Sequence, residues 1–315
     1  MKPSEIFGKR ILISPLNWGF GHVSRCIPLT NQLIKQNNEV YIACDDIQKE
    51  IFKTYLPNNI SFIYHAGYPF KFSGTGNFSF DLLKRSFFLN KRYKNEIKET
   101  ERLVIENKID FTISDHRYGF RSKHCASVFL THQLNLPLRW FQKPFQWFHK
   151  YLVRAFDLKW VVDDEQTRLA GKLSDLTGYK NAEYIGFLSR FKDVSGHYEK
   201  KYKGLLLLSG PDEYIQYLIQ SNLVFLNSGK IDIIVGVKKH FKIIESFGFS
   251  HLFEEANDWR IIDDFMLNSK TIYGYCGYTT LMDLKYLDCK AKLIPCKGQL
   301  EQIYLSNTNF RNFMK

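Results

Sequence analysis

Two short stretches near opposite ends of the chain hold residue types at spacings that could do chemistry. The first is Gly19-Phe20-Gly21-His22-Val23-Ser24-Arg25, directly after the apolar run Ile11-Leu12-Ile13-Ser14-Pro15-Leu16. Its glycines let the backbone pass close to a bound group, and His22 opens the helix that follows. In an open α/β sheet ligands sit at the carboxyl ends of the strands. A histidine there can act as general base, or as a donor to a ligand phosphate or hydroxyl. A capping turn with His22 merely exposed satisfies the same pattern. The spacing is Gly-x-Gly-x-x-x, not the Gly-x-Gly-x-x-Gly of dinucleotide-binding turns, although Asp45 and Asp46 keep that alternative open.

The second stretch runs from Tyr275-Cys276-Gly277-Tyr278-Thr279-Thr280-Leu281-Met282-Asp283-Leu284 to Ile294-Pro295-Cys296-Lys297-Gly298-Gln299-Leu300-Glu301-Gln302. Gly277 can start a helix whose N–H groups meet a diphosphate. Thr279 or Thr280 can add hydroxyl donors, and Asp283, about a turn and a half in, can accept from a ribose diol. A solvated acid near a helix start is the plainer account of Asp283. Gln299, Glu301 and Gln302 follow a strand and carry the side chains that read sugar hydroxyls; alone they are a polar helix start. One strand-turn-helix motif in each half predicts two facing domains with a phosphate-bearing ligand between them.

The elements that must position these residues alternate. Short β-branched runs at 10–16, 39–44, 60–64, 109–114, 126–131, 158–162 and 183–187 are separated by helical patterns at 22–36, 46–54, 78–107, 143–156 and 164–174. Such alternation predicts a mainly parallel sheet covered on both faces. A polar stretch, 191–203, reads as a linker between an N-terminal domain (1–190) and a C-terminal one (204–315). The second series has strands at 204–208, 231–235, 259–262, 271–275 and 291–295, with helices near 212–222, 278–288 and 299–307.

Composition narrows the partners. Lys and Arg number 44 against 32 Asp and Glu, a net charge of +12 that favours anionic ligands, lipid head groups or nucleic acid. No apolar run approaches membrane-spanning length and the N-terminus has no signal-peptide pattern, so a cytoplasmic protein is expected. The six cysteines form no Cys-x-x-Cys pair, which argues against structural zinc and a disulfide framework. Asp163-Asp164-Glu165 imitates a metal cluster but reads as a solvated helix start. No metal or cofactor is expected.

The segment 139–160 mixes aromatic and basic residues. On a helix, Phe141, Phe145, Phe148, Leu152 and Phe156 share a stripe expected to face the core. Trp140, Trp147 and Tyr151 lie beside Lys143, Lys150 and Arg154, the arrangement of an interfacial helix on anionic lipid. Single-stranded nucleic acid ranks lower, since no RNA-recognition or OB-type motif accompanies it.

Taken in order, the Gly-x-Gly-His opening, with Arg25 one place early, the closing Gly-x-x-Thr-x-x-Asp and the Pro-x-x-Gly-Gln-x-Glu-Gln resemble the two-domain GT-B glycosyltransferases. The branch most resembled is the bacterial N-acetylglucosaminyltransferase family that completes the peptidoglycan precursor lipid II. Ser114-Asp115-His116-Arg117-Tyr118-Gly119, Thr131-His132-Gln133-Leu134-Asn135 and Leu207-Leu208-Ser209-Gly210-Pro211 resemble strand-end loops of similar transferases. The resemblance implies two Rossmann-like domains facing across a cleft, the C-terminal one shortened. It implies metal-independent transfer of a sugar, N-acetylglucosamine in that family, from a nucleotide diphosphate, UDP above all.

The acceptor would be a hydroxyl, lipid-linked or on a cell-envelope glycan, met at the inner face of the membrane. His22 would be the base, with Gly19, Gly21, Asp115, His132 and Asn135 on the acceptor side. Ser209, Gly210, Cys276, Gly277, Thr279, Thr280, Asp283, Gln299, Glu301 and Gln302 would bind the donor. The chain departs from the pattern at Tyr275-Cys276, where relatives carry Arg-Ser, and lacks a basic residue after Pro211. A nucleotide-sugar epimerase of the same fold, a non-catalytic nucleotide-sugar binder and a basic lipid- or nucleic-acid-binding module are the alternatives.

Overall fold

The computed structural model describes residues 1–70, 73–76, 78–138, 142–196 and 198–313. The chain divides into two compact units, Met1–Lys71 with Ser79–Arg190, and Phe72–Phe78 with Phe191–Lys315. Within the span 191–203, Phe191 is buried in the core of the second unit.

The first unit begins with β1 (Arg10–Pro15), α1 (Phe20–Lys35), β2 (Glu39–Cys44), α2 (Asp46–Tyr55) and β3 (Ser61–Tyr64). It continues through α3 (Phe78–Glu106), β4 (Phe111–Asp115), β5 (Ala126–Thr131), α4 (Lys143–Arg154), β6 (Leu158–Val161) and β7 (Ala182–Tyr184). The sheet order is β3-β2-β1-β4-β5-β6-β7, with each pairing parallel. Ile11, Leu12 and Ile13 of the central strand have no exposed surface, as expected of a strand covered on both faces. Gly19 precedes α1 with φ +150°. A Cβ there would touch nothing within 4 Å, so backbone conformation alone calls for glycine.

The second unit holds β8 (Leu205–Leu207), α5 (Ile215–Asn227), β9 (Ile233–Gly236), α6 (Phe241–Ser246), β10 (Phe253–Glu255) and α7 (Trp259–Leu267). It closes with β11 (Thr271–Tyr275), α8 (Tyr278–Leu284), β12 (Lys290–Ile294) and α9 (Leu300–Phe313). Its parallel sheet runs β10-β9-β8-β11-β12. One apolar cluster, around Leu218, Ile234 and Tyr273, packs α5 and α6 on the sheet, and another, around Ile262, Met266 and Leu287, packs α7.

In both units the strand order reverses beside the first strand, between β1 and β4 and between β8 and β11. Connections there leave toward opposite faces and open a crevice at the carboxyl ends. The turns Gly19 after β1 and Gly277 after β11 lie at such points, whereas Gly298 follows the edge strand β12.

Two expectations are corrected. Segment 259–262 is the start of α7: Asp258 accepts from the Arg260 N–H at 2.8 Å, and Ile262 and Met266, four residues apart, share the buried face. Segment 164–174 is a series of turns with a short 3-10 turn at Gly171–Ser174. The fully buried Asp163 carboxylate draws it together, accepting from the N–H groups of Asp164, Leu169 and Ala170 and from Ser174 Oγ at 2.6–3.0 Å. Asp163 is therefore a structural hub and not part of a solvated helix start.

Candidate active site

His22 and Arg25 lie three residues apart in α1 and so share a face. The β1/β4 pairing sets Pro15 opposite Asp115, which brings that face over the end of β4. His22 Nδ1 is 3.0 Å from Asp115 Oδ2. Arg25 Nε is 3.0 Å from both carboxylate oxygens, and its Nη2 donates to Oδ1. Nη2 also lies 2.7 Å from His22 Nδ1, and Nη1 3.0 Å from His132 Nδ1. The His116 ring sits 5.6 Å from the rings of both His22 and His132. His116 adopts φ +59°, a region uncommon for a side-chain-bearing residue, with its Nε2 2.6 Å from Thr131 Oγ1. Three histidines, an arginine and an aspartate, drawn from α1 and the ends of β4 and β5, thus converge.

The electrostatics follow from burial. Asp115 is fully buried and Arg25 is 2 % exposed, whereas His22 keeps 19 % of its side chain accessible. Burial alone would raise Asp115, but Arg25 and His22 hold its carboxyl below the usual range. Burial lowers His22; Asp115 pulls the other way, and Arg25 adds to the lowering. Burial, then Arg25 and the neighbouring histidines, puts His116 well below its ordinary value. The Cys26 thiol, 3.9 Å from Asp115, is pushed well up by burial and then by that carboxylate, which favours its neutral form.

A second buried network supports these loops. Glu96 Oε1 accepts from Arg117 Nε at 2.6 Å, and Oε2 accepts from the Gly119 N–H at 3.1 Å and from Tyr68 Oη. Arg117 also donates to the carbonyls of Pro15 (3.3 Å) and Ala66 (2.7 Å). One ion pair with no exposed surface therefore ties the turns after β1, β3 and β4. Burial opposes ionisation of Glu96, yet Arg117, His65 and Tyr68 hold it down to about 2. Sequence reasoning missed Arg25's role, Glu96 and Arg117. The only local signal is two arginines placed among glycines and histidines at strand ends.

In the second unit, Ser209 and Gly210 follow β8, and Cys276 and Gly277 follow β11. Tyr275 ties the two turns: its ring lies against Gly210, where an added Cβ would come within 3.0 Å, and its hydroxyl donates to the Tyr214 carbonyl at 2.6 Å. Where the resembled family has a cation, this chain has a packing anchor. Burial lifts the Cys276 thiol to about 12. Gly277 caps α8, a helix of seven residues whose first-turn N–H groups belong to Tyr278, Thr279 and Thr280. Asp283 is 2 % exposed, not a solvated acid.

Gln299 and Gln302 serve the turn after β12. Gln302 Oε1 accepts from the Cys296 N–H at 2.8 Å and its Nε2 donates to Gln299 Oε1 at 2.7 Å. Glu301 stands beside them on the first turn of α9. At Gly298, φ is +79° and an added Cβ would fall 1.8 Å from the Gly76 carbonyl oxygen, so this turn requires glycine. Gly76 in turn donates its N–H to Tyr214 Oη at 3.1 Å.

The other expected site residues of the first unit divide between the cluster and places away from it. Gly19 and Gly21 begin α1 beside it. Asn135 donates to the carbonyls of Lys172 and Asp175 at 3.3 and 2.8 Å, stapling a loop. On α4 the expected core stripe is corrected in part: Leu152 and Phe156 are buried as expected, but Phe145 and Phe148 are exposed, together with Trp147 and Tyr151 at 74 % each. The buried seam is His149, Leu152 and Val153, and Tyr118 Oη lies 2.7 Å from His149 Nδ1. Lys143 and Arg154 flank the exposed aromatics, while Lys150 Nζ sits 5.0 Å from the Tyr179 ring centroid. Trp140 and Phe141 lie outside the described residues. Among the described residues no group of three or more His, Cys, Asp or Glu is placed to hold a metal ion. No helix among them is long and apolar enough to cross a membrane.

No family model matches the chain, and no curated protein matches it. Solved structures do. UGT2 of Phytolacca americana, complexed with UDP-2-fluoro-glucose and pterostilbene, is similar over 97% of this chain and 84% of its own, with TM-score 0.61 and 10% identity. The glycosyltransferase SsfS6 of Streptomyces sp. SF2575 is similar over 95% and 86%, with TM-score 0.58 and 12% identity. MnaA of S. aureus, solved with UDP, is similar over 96% and 88%, with TM-score 0.59 and 11% identity. What a likeness at such low identity carries is architecture: the chain has the GT-B fold.

Proposed function

We propose that the protein transfers a sugar from a nucleotide diphosphate donor, with UDP as nucleotide, to a hydroxyl acceptor, and that His22 is the general base. The carrying observation is the 3.0 Å pairing of His22 Nδ1 with buried Asp115. A carboxylate on Nδ1 leaves the lone pair on Nε2, and the lowered basicity keeps the ring neutral near neutral pH. Nε2 takes the acceptor's hydroxyl proton as that oxygen bonds to the anomeric carbon. The bond from that carbon to the diphosphate oxygen breaks, and its electron pair leaves with the nucleotide. In the second unit, the N–H groups of Tyr278, Thr279 and Thr280, with the hydroxyls of Thr279 and Thr280, suit the departing diphosphate. Asp283 suits the ribose, and Glu301 the sugar. With Gln299 and Gln302 tied to their own turn, their part is to hold that loop.

The acceptor we favour is lipid-linked, met at the cytoplasmic face of the membrane. The exposed Phe145, Trp147, Phe148 and Tyr151 between Lys143 and Arg154 support docking on anionic lipid. A further exposed aromatic pair, Phe87 and Phe88, lies on α3 among exposed Lys84, Lys91 and Lys94. Tyr93 and Glu96 of α3 pack against Gly119, while α4 bonds Tyr118. Both helices thus flank the turn that follows Asp115.

A panel of nucleotide-sugars, UDP-N-acetylglucosamine first, tests the reading by thermal shift and by nucleotide release with hydroxyl acceptors. UDP-sugars raising Tm, with release that depends on acceptor, is the expected result. Shifts with other nucleotides alone would overturn the donor. Turnover without acceptor would favour the epimerase.

A further inference from the structure

Arginine carries five N–H donors and no acceptor, which makes Arg25 a reporter of its neighbours' protons. Its Nη1 lies 3.0 Å from His132 Nδ1, so that nitrogen accepts and the His132 proton resides on Nε2. The position at His22 is contested. Nη2 of Arg25 lies 2.7 Å from His22 Nδ1, and the acceptor-only Asp115 Oδ2 lies 3.0 Å from the same nitrogen. One nitrogen cannot accept from the first and donate to the second in a single tautomer.

Asp115 has the stronger demand. Nη2 already donates to Asp115 Oδ1, and Nε reaches both carboxylate oxygens at 3.0 Å, so the guanidinium finds its acceptors without His22. The ionised Oδ2, buried away from water, gains a charge-assisted bond from Nδ1–H. The geometry points to Arg25 as a positioning residue: its fork on Asp115 aims Oδ2 at His22 Nδ1, and its Nη1 fixes His132, so that the two histidines are held in opposite tautomers. His22 carries its proton on Nδ1 and presents a bare Nε2; His132 carries its proton on Nε2.

The inference deepens the reading of His22 as base and rests on it for its catalytic meaning. The charged and titratable groups facing His22 are Arg25 on its own helix, Asp115 and His116 from the end of β4, and His132 from the turn after β5. Cys26 faces Asp115 from α1. A lysine at position 25 would keep the charge but cannot span both carboxylate oxygens and His132 together.

The test is tautomer assignment by long-range proton–nitrogen correlation on the full chain with 15N-labelled histidine, His22 and His132 being assigned from His22→Gln and His132→Gln. It needs neither donor nor acceptor. Opposite tautomers in the unsubstituted protein support the proposal. A proton on Nε2 of His22 would overturn it, because Arg25 would then own Nδ1. In Arg25→Lys the His132 tautomer should become mixed, with kcat at least tenfold down and donor KM within twofold. A folded Lys variant with both tautomers and kcat unchanged would also overturn it. If that variant does not fold, the spectrum of the unsubstituted chain decides alone. Transfer that survives His22→Ala would instead sink the base while leaving the tautomer result standing.

Discussion

Asp115→Asn separates two jobs of one carboxylate. In the folded chain Asp115 is fully buried against an Arg25 that is 2 % exposed. The amide keeps the volume, removes the charge and brings a donor where the neighbours are themselves donors. Arg25 loses its buried counter-charge, and breaking such a pair from one side costs about 3–5 kcal/mol. In a unit of this size each kcal/mol moves Tm by about 2–4 °C, so a fall of roughly 6–20 °C is expected. The pH dependence has a fixed sign. Asp115 is held below its ordinary 3.8, so its contribution is present above that value and is lost only as pH falls through the lower folded one. The gap between wild type and variant should therefore persist from neutral pH down to about 5 and close only in stronger acid.

Transfer should fall by a factor on the order of 10²–10⁴, the range for disturbing a positioned imidazole base. The double variant Arg25→Met with Asp115→Leu should recover much of the lost Tm, because apolar replacement of a buried pair is often neutral, yet stay inactive. Calorimetry from pH 3 to 8 and kcat at saturating donor make the assay. An Asn variant with wild-type Tm and wild-type kcat would refute the reasoning.

Tyr275→Phe removes the 2.6 Å bond to the Tyr214 carbonyl; the loss should cost about 1–3 kcal/mol and weaken the UDP-sugar thermal shift, and no change in either would make Tyr275 ordinary packing. Glu96→Gln should flatten acid denaturation. Glu96 is held from 4.5 down to about 2, so its stabilisation is present above 4.5 and vanishes across that window; equal acid limbs in both proteins would contradict this. Trp147→Ala with Tyr151→Ala should reduce co-sedimentation with phosphatidylglycerol vesicles several-fold, and unchanged binding would leave α4 as an unpartnered surface.

The strand-turn-helix motifs are legible in sequence because glycine after an apolar run is a local signal: Ile11–Leu12–Ile13 must be covered, and Gly19 must turn. What His22 meets is not local. Asp115 reaches it because β1 pairs with β4, ninety-odd residues away in sequence, and no spacing within Gly19–Arg25 encodes that neighbour. The same limit hides Glu96, inside α3 and outside every motif, which finds Arg117 only in the folded unit. On α4, aromatic spacing outlines a stripe without saying which stripe is buried; Tyr118 and the sheet select His149, Leu152 and Val153. At 259–262 the β-branched pair Ile261-Ile262 suggests a strand, while the cap from Asp258 and the partner Met266 make it a helix. Gln302 reads as a sugar contact because its side chain suits one; its bonds to Cys296 and Gln299 emerge only with the turn formed.

The most direct measurement compares wild type and His22→Ala at saturating UDP-sugar and a transferring acceptor, with donor affinity measured on both by calorimetry. Loss of kcat by a factor of about 10² or more, with donor Kd within twofold, is the predicted result. Transfer at an undiminished rate by the alanine variant would contradict it.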